Sequence, residues 1–294
     1  MRRIIISILF CICALNSQAQ LLYEVSGKSS HGKSYIFAVN KLTDRNFMDT
    51  IPNIFRYFGR CKRVITEFAM QDYEALQALR QAAILPDSIK LSNFYGDNEY
   101  REIDEALKVH LGMGLQQLGR MKPSYLTELV RNEILQRWLN YDEQRSMETF
   151  FMDIATEKNM PIVGLDNIGE TMYMLFDREP FHWQCEELKK VIEYPEREVQ
   201  LERNIKAMYR RGRLTDIAYA IEAPDNTSTL SFSDYKVYTQ RNKQWVKRLD
   251  PYLKEGNCFI TLNCIYLGGE KGLIEQLRSA GYKVKPANKR KYTF

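Results

Sequence analysis

The stretch Asn257-Cys258-Phe259-Ile260-Thr261-Leu262-Asn263-Cys264-Ile265-Tyr266-Leu267, followed at once by Gly268-Gly269, decides the fold. It is an apolar run rich in aromatic and β-branched residues. Asn257 and the glycines bound it, and it is the strongest strand signal in the chain. Gly268-Gly269 then turns the chain into a helix expected over residues 271–280, which Gly281 ends. A last strand is expected over 282–285. A strand that turns straight into a helix and then a further strand is the grammar of a layered α/β protein.

Working outward, residues 21–26 and 35–39 are strand-formers around the Gly/Ser-rich residues 27–32, and read as a hairpin. Two more strands are expected, over 64–68 and over 161–165, the second of them buried. Between them lie helical patterns: from Asp72 as a cap to Leu85, where Pro86 follows; over 98–111, ended by Gly112; over 121–141, with Pro123 in the first turn; and over 147–158. A charged helical stretch follows over 186–223, then a polar loop over 224–233 and a helix over 234–249. The expected fold is α/β, a mixed central sheet covered by long helices. Residues 20–294 are expected to form one domain, because no low-complexity linker interrupts them.

Composition excludes several classes. The 294 residues are 45% hydrophobic and 27% charged, with 15 Gly and six Cys. Collagenous, disordered and disulfide-dense chains look different. The net charge of +5 is small for this length, so no nucleic-acid partner is expected. Arg2 and Arg3 precede an apolar run over 4–15, and Ser17-Gln18-Ala19 places small side chains where a signal peptidase reads. Residues 1–19 are therefore expected to be a signal peptide, with the product periplasmic or secreted. The run is short of the roughly 20 residues that span a bilayer, and no later segment is apolar enough, so no membrane span is expected. Cys61, Cys185, Cys258 and Cys264 remain after cleavage, and their pairing is left open.

The residues carry few ready-made catalytic signatures. His31, His110 and His182 lack metal-ligand spacing, and no His-Glu-x-x-His or Gly-x-Ser-x-Gly run occurs. His110 sits on an apolar helix face. Gly268 to Gly272 resembles a phosphate cradle only loosely, and a tight turn opening a helix is the expected reading. The basic run Tyr209 to Arg213 reads as a solvated helix end. Glu67 stands apart, as a carboxylate near the end of a strand, where α/β proteins place their sites.

The order of these segments resembles the TraB/GumN family, which includes the TIKI-type metalloproteases. Ser34 to Leu42 resembles its opening strand. Val64-Ile65-Thr66-Glu67 resembles the second strand, with the hallmark Glu. Leu85-Pro86, Leu91-Ser92 and Met121-Lys122-Pro123 resemble its helical middle. Ser146-Met147-Glu148 and Met160 to Asp166 resemble the next two segments, and Tyr209 to Leu214 another. Arg241-Asn242 with Trp245 matches an Arg-Asn-x-x-Trp motif, Phe259 to Gly272 resembles the last strand and turn, and Gly281 to Val284 closes the pattern. The resemblance implies a pocket built from Lys41, Glu67, Asp166, Arg241, Asn242 and Tyr266.

The departures fall at the chemistry. The two motif histidines thought to bind metal in the family are Lys41 and Tyr266 here, and Ala38 and Asn263 replace the motif glycines. An ammonium has no lone pair and repels a divalent ion by about 8 kcal/mol at about 4 Å and an effective dielectric of about 20. A neutral phenol is a poor ligand. The inherited metal site is therefore expected to be lost, no cofactor is expected, and Lys41 is expected to salt-bridge Glu67 in its place. The leading expectation is an exported binding or accessory protein for a peptide, protein or small-molecule ligand. Two alternatives remain open. One is a peptidase-like hydrolase with Glu67 as general base and Lys41 or Arg241 stabilising an oxyanion, with Mn or Co if metal survives. The other is haem or small-ligand binding through Tyr266.

Overall fold

A computed structural model describes residues 20–288, apart from residues 28, 70–72, 141, 143–144, 148 and 223–231, and apart from the side chains of 232–236. The expected signal peptide and most of the expected polar loop over 224–233 lie outside the described residues.

The sheet has six strands: β1 (Leu22–Ser26), β2 (Ser34–Val39), β3 (Arg63–Thr66), β4 (Ile162–Gly164), β5 (Cys258–Asn263) and β6 (Lys283–Pro286). Their order is β4-β3-β5-β2-β1-β6. β4, β3, β5 and β2 are mutually parallel, while β1 pairs antiparallel with β2 on one side and β6 on the other. The sheet is thus mixed, and β5 lies near its centre with a partner on each side. That position explains its composition: Cys258 through Leu262 are all buried, as a strand covered on both faces requires. The register sets Ile36 beside Ile260 and Ile65 beside Ile260, so one apolar layer crosses three strands. β4 is an edge strand, and its three residues are only half-buried, against the expectation of a buried strand.

The described helices are α1 (Ile54–Phe58), α2 (Tyr73–Ala82), α3 (Asp97–Leu111), α4 (Leu115–Leu118), α5 (Pro123–Leu139), α6 (Phe150–Glu157), α7 (Ile168–Met172), α8 (Phe181–Glu193), α9 (Pro195–Arg210), α10 (Leu214–Glu222), α11 (Phe232–Glu255) and α12 (Leu273–Ser279). Local chemistry sets their ends. Glu99 reaches back to accept from the Gly96 N–H at 3.1 Å and opens α3, and Gly112 at φ +70° closes it. Pro123 begins α5, and Asn140 ends it in the left-handed region. α2 stops at Ala82, short of the expected Leu85, because the Leu85 N–H is taken by the Arg120 carbonyl at 2.8 Å. The charged stretch read as one helical region over 186–223 is three helices, broken at Tyr194-Pro195 and at Arg211 to Arg213. The expected strand over 257–267 also ends early: Cys264–Tyr266 is a 3-10 turn, opened by the Asn263 side chain accepting from the Ile265 N–H at 3.2 Å.

The apolar interior falls into two clusters. One is built on the sheet, with Phe37, Phe58, Phe151 and Phe259 packed ring against ring and Trp245 fully buried beside them. The other lies among the middle helices, around Leu107, Leu126, Val130, Ile134 and Leu188. At the tight turn the glycine is needed for space: a Cβ on Gly268 would stand 2.0 Å from the Leu214 carbonyl oxygen. Gly269 adopts φ +77°.

Candidate functional site

Four parallel strands point their carboxyl ends the same way, and that edge gathers the charged residues. Lys41 follows β2, Glu67 follows β3, Asp166 follows β4 and Tyr266 follows β5. A crevice at the carboxyl ends of parallel strands is where open α/β sheets bind ligands. Helix α11 faces this edge with Arg241, Asn242, Trp245 and Arg248, residues that share one side of a helix by their spacing.

Arg241 is the hub. Its Nε and Nη2 each lie 2.6 Å from Asp166 Oδ2. Its Nη1 lies 3.2 Å from Glu67 Oε2 and also donates to the Tyr266 hydroxyl. The guanidinium stacks over the Trp245 ring at 4.5 Å and the Tyr266 ring at 4.8 Å from the centroids. The remaining acceptors are used as well. Trp245 Nε1 donates to Asp166 Oδ1 at 2.6 Å, and the Asn263 N–H donates to Glu67 Oε1 at 2.8 Å. Arg248 extends the network with two bonds to Glu170, at 2.6 and 2.7 Å. Asn242 is buried and structural: its Nδ2 donates to the Tyr266 carbonyl at 2.9 Å.

The electrostatics follow from this packing. Burial opposes the charge on Arg241, but Tyr266, Glu67 and Asp166 outweigh it and hold its pKa above the usual value. Burial, reinforced by Glu67, pushes the Tyr266 phenol well up, so it stays neutral. Its ring is wedged edge-on between Tyr238 and Trp245, and its oxygen is engaged by Arg241. A haem axial ligand needs a phenolate facing a broad slot, a geometry this packing does not favour.

Lys41 is placed differently from the expectation. The cation on Glu67 is Arg241, and Lys41 Nζ donates to Asn132 Oδ1 of α5 at 3.4 Å. The reason is topological: β5 lies between β3 and β2, so the two chain segments stand two strand spacings apart, roughly 10 Å. Lys41 belongs to a second charged group. There Arg131 meets Glu198 at 2.7 Å and Glu187 at 3.0 Å, and pairs with Glu128. Cys264 lies between the two groups, within electrostatic reach of both Glu67 and Glu202.

Of the expected site residues, the structure brings Glu67, Asp166, Arg241, Asn242 and Tyr266 together, and holds Lys41 apart from them on Asn132. Sequence reasoning missed Arg248, Glu170, Asn132, Glu128 and Glu202. Arg248 was findable, since it lies one heptad after Arg241; the others come from helices that only tertiary packing brings to this edge. The donor set does not fit a divalent metal, for Lys41 and Tyr266 offer no anionic or imidazole ligand and a guanidinium already bridges the two carboxylates. Among the described residues, no group of three His, Cys, Asp or Glu side chains is placed to hold a metal ion, and no helix is long and apolar enough to cross a membrane.

The fold and this edge define a layered α/β protein with a mixed six-stranded sheet and a charged constellation at the carboxyl ends of its parallel strands. The TraB/PrgY/gumN family model matches residues 21–286, and the chain belongs to that family. No curated protein matches it.

Proposed function

We propose that this chain is an exported TraB/GumN-type protein whose inherited metal site has degenerated, and that it acts as a non-catalytic binding protein for a peptide, protein or small-molecule ligand at the carboxyl edge of its sheet. One observation carries the reading. The guanidinium of Arg241 sits between Glu67, Asp166 and the Tyr266 hydroxyl, so a fixed organic cation neutralises the carboxylates that a metal would otherwise need. The two motif-histidine positions, Lys41 and Tyr266, supply no replacement ligand.

The same contacts weigh against the hydrolase reading. A general base must reach a water with a lone pair to spare, and each Glu67 oxygen already has a partner, the Asn263 N–H at Oε1 and Arg241 at Oε2, which leaves a water the second lone pair of either oxygen.

The test is metal content after purification in the presence of Mn or Co. The expected result is far less than one equivalent. One equivalent of tightly held metal, lost in Glu67→Ala, would restore the enzyme reading.

A further inference from the structure

We propose that the joint between the last turn of α3 and the end of α5 is an acid-sensitive device with His110 as its trigger: an imidazolium there competes with the Arg137 guanidinium that holds the turn. The proposal goes beyond the binding reading above and does not depend on it.

The joint is built from few groups. Helix α3 ends at Leu111, and its last carbonyls have no partner within the helix. Arg137, in the last turn of α5, supplies one from outside. Its Nη2 donates to the His110 carbonyl at 3.3 Å and to the Val109 carbonyl at 3.5 Å. Its Nε donates to Glu133 Oε1 at 2.5 Å. The main chain of His110 is thus tied to the cation that its own side chain must tolerate.

The side chain fits this place only as a neutral ring. His110 Nδ1 is buried and has no hydrogen-bond partner. A neutral imidazole can leave that nitrogen without a proton, whereas an imidazolium carries N–H on both nitrogens. Protonation would therefore bury a donor that has no acceptor, at a cost in desolvation. A cation at a helix C-terminus is ordinarily favourable, but Arg137 already fills that role, and a second cation repels it. Burial and Arg137 together hold the imidazole below its ordinary 6.5, with Glu133 opposing.

No other charge offsets this. One turn before His110 on its own helix stand Ala106 and Leu107, and residues 112–114 and α4 carry no charge. The cation that α8 brings to α3 is Lys189, which pairs with Glu99 in the first turn, roughly 16 Å along the axis from His110. Protons have access, since the adjoining Val109 is 68% exposed. The sign follows from the lowered folded value. The stability of the joint is complete above 6.5, the unfolded value, and is lost as pH falls through the folded one. What loosens is the turn that carries Leu111, which packs with the buried Leu107 on the helical cluster.

The test uses the full folded chain across pH 8 to 5, the range in which a histidine changes charge. The first reading is the proton NMR titration of the His110 ring, assigned by its loss in His110→Gln. A midpoint below 6.5 is expected, and Arg137→Gln should move it up. The second is hydrogen exchange of the amides of residues 108–112, corrected for the intrinsic effect of pH. Their protection is expected to fall several-fold in acid in the parent and to stay level in His110→Gln, which cannot take up the proton. A merely structural role would not remove the pH dependence. A midpoint at or above 6.5, or the same acid loss of protection in His110→Gln as in the parent, overturns the proposal.

Discussion

Trp245 and Asp166 are joined by a buried hydrogen bond of 2.6 Å, from the indole Nε1 to Oδ1, and this bond fixes how α11 meets the end of β4. Trp245 is fully buried, and Asp166 is nearly so. Because Oδ1 is taken, Oδ2 is left for Arg241, and the guanidinium is held in one orientation toward Glu67 and Tyr266. Trp245→Phe keeps most of the packing and deletes the donor. It is expected to cost about 1–3 kcal/mol, the usual penalty for an unsatisfied buried acceptor, read as a fall in the urea midpoint with an unchanged slope.

Asp166→Ala is expected to be worse. It strips Arg241 of its best partner and leaves a buried guanidinium with Glu67 and the neutral Tyr266 hydroxyl, for a loss of about 3–5 kcal/mol. The double variant Asp166→Ala, Arg241→Met should recover part of that loss in equilibrium unfolding. A double variant no more stable than Asp166→Ala would show that the ion pair is not what the fold depends on here.

Phe259 touches Phe37, Phe58 and Phe151 in the layer under the sheet. Phe259→Ala opens a cavity where no neighbour can collapse freely. The expected cost is about 3–5 kcal/mol, measured by chemical denaturation.

Two carboxylates give opposite pH signatures. The hydrogen bonds from Arg248 hold the Glu170 carboxyl below 4.5. Its contribution is complete above that unfolded value, and is lost as pH falls through the folded one. Glu170→Gln should therefore destabilise at pH 7 and lose its effect in acid. Burial holds Glu202 above 4.5. In the window between 4.5 and its folded value the native state binds the extra proton, so stability falls as pH rises. Glu202→Gln should be more stable than the parent at pH 8, with the difference shrinking toward pH 4.5. Melting temperatures across pH 4–8 check both signs.

The four described cysteines are buried thiols. Burial pushes Cys61 up to about 12 and Cys185 to about 11. A thiolate is the reactive form, so labelling by a disulfide reagent at pH 8 should be slow in the native state and fast in guanidinium. Rapid native labelling of one equivalent or more would contradict this packing.

Much of the architecture was written locally. The run from Cys258 to Leu262 is apolar because both faces of β5 are covered, and the same fact makes it readable as a strand. Gly268 stands where Leu214 comes too close for any side chain, Gly112 and Asn140 mark helix ends, and the order of motifs specified the family. Glu67, Asp166, Arg241, Asn242 and Tyr266 were legible as one site because their motifs have fixed places in that order. Partners were not legible. Charge pairs are chosen by which strand separates which loop and by how far a helix can reach, and neither leaves a local pattern. Lys41 and Glu67 look like natural partners along the chain, yet β5 stands between them, and Arg241 arrives from a helix some 175 residues downstream of Glu67. The local sequence thus determined which elements form and which motif residues gather at the edge of the sheet; only the tertiary structure decided which helix residues join them and which charge meets which, because electrostatic pairing depends on distance through space.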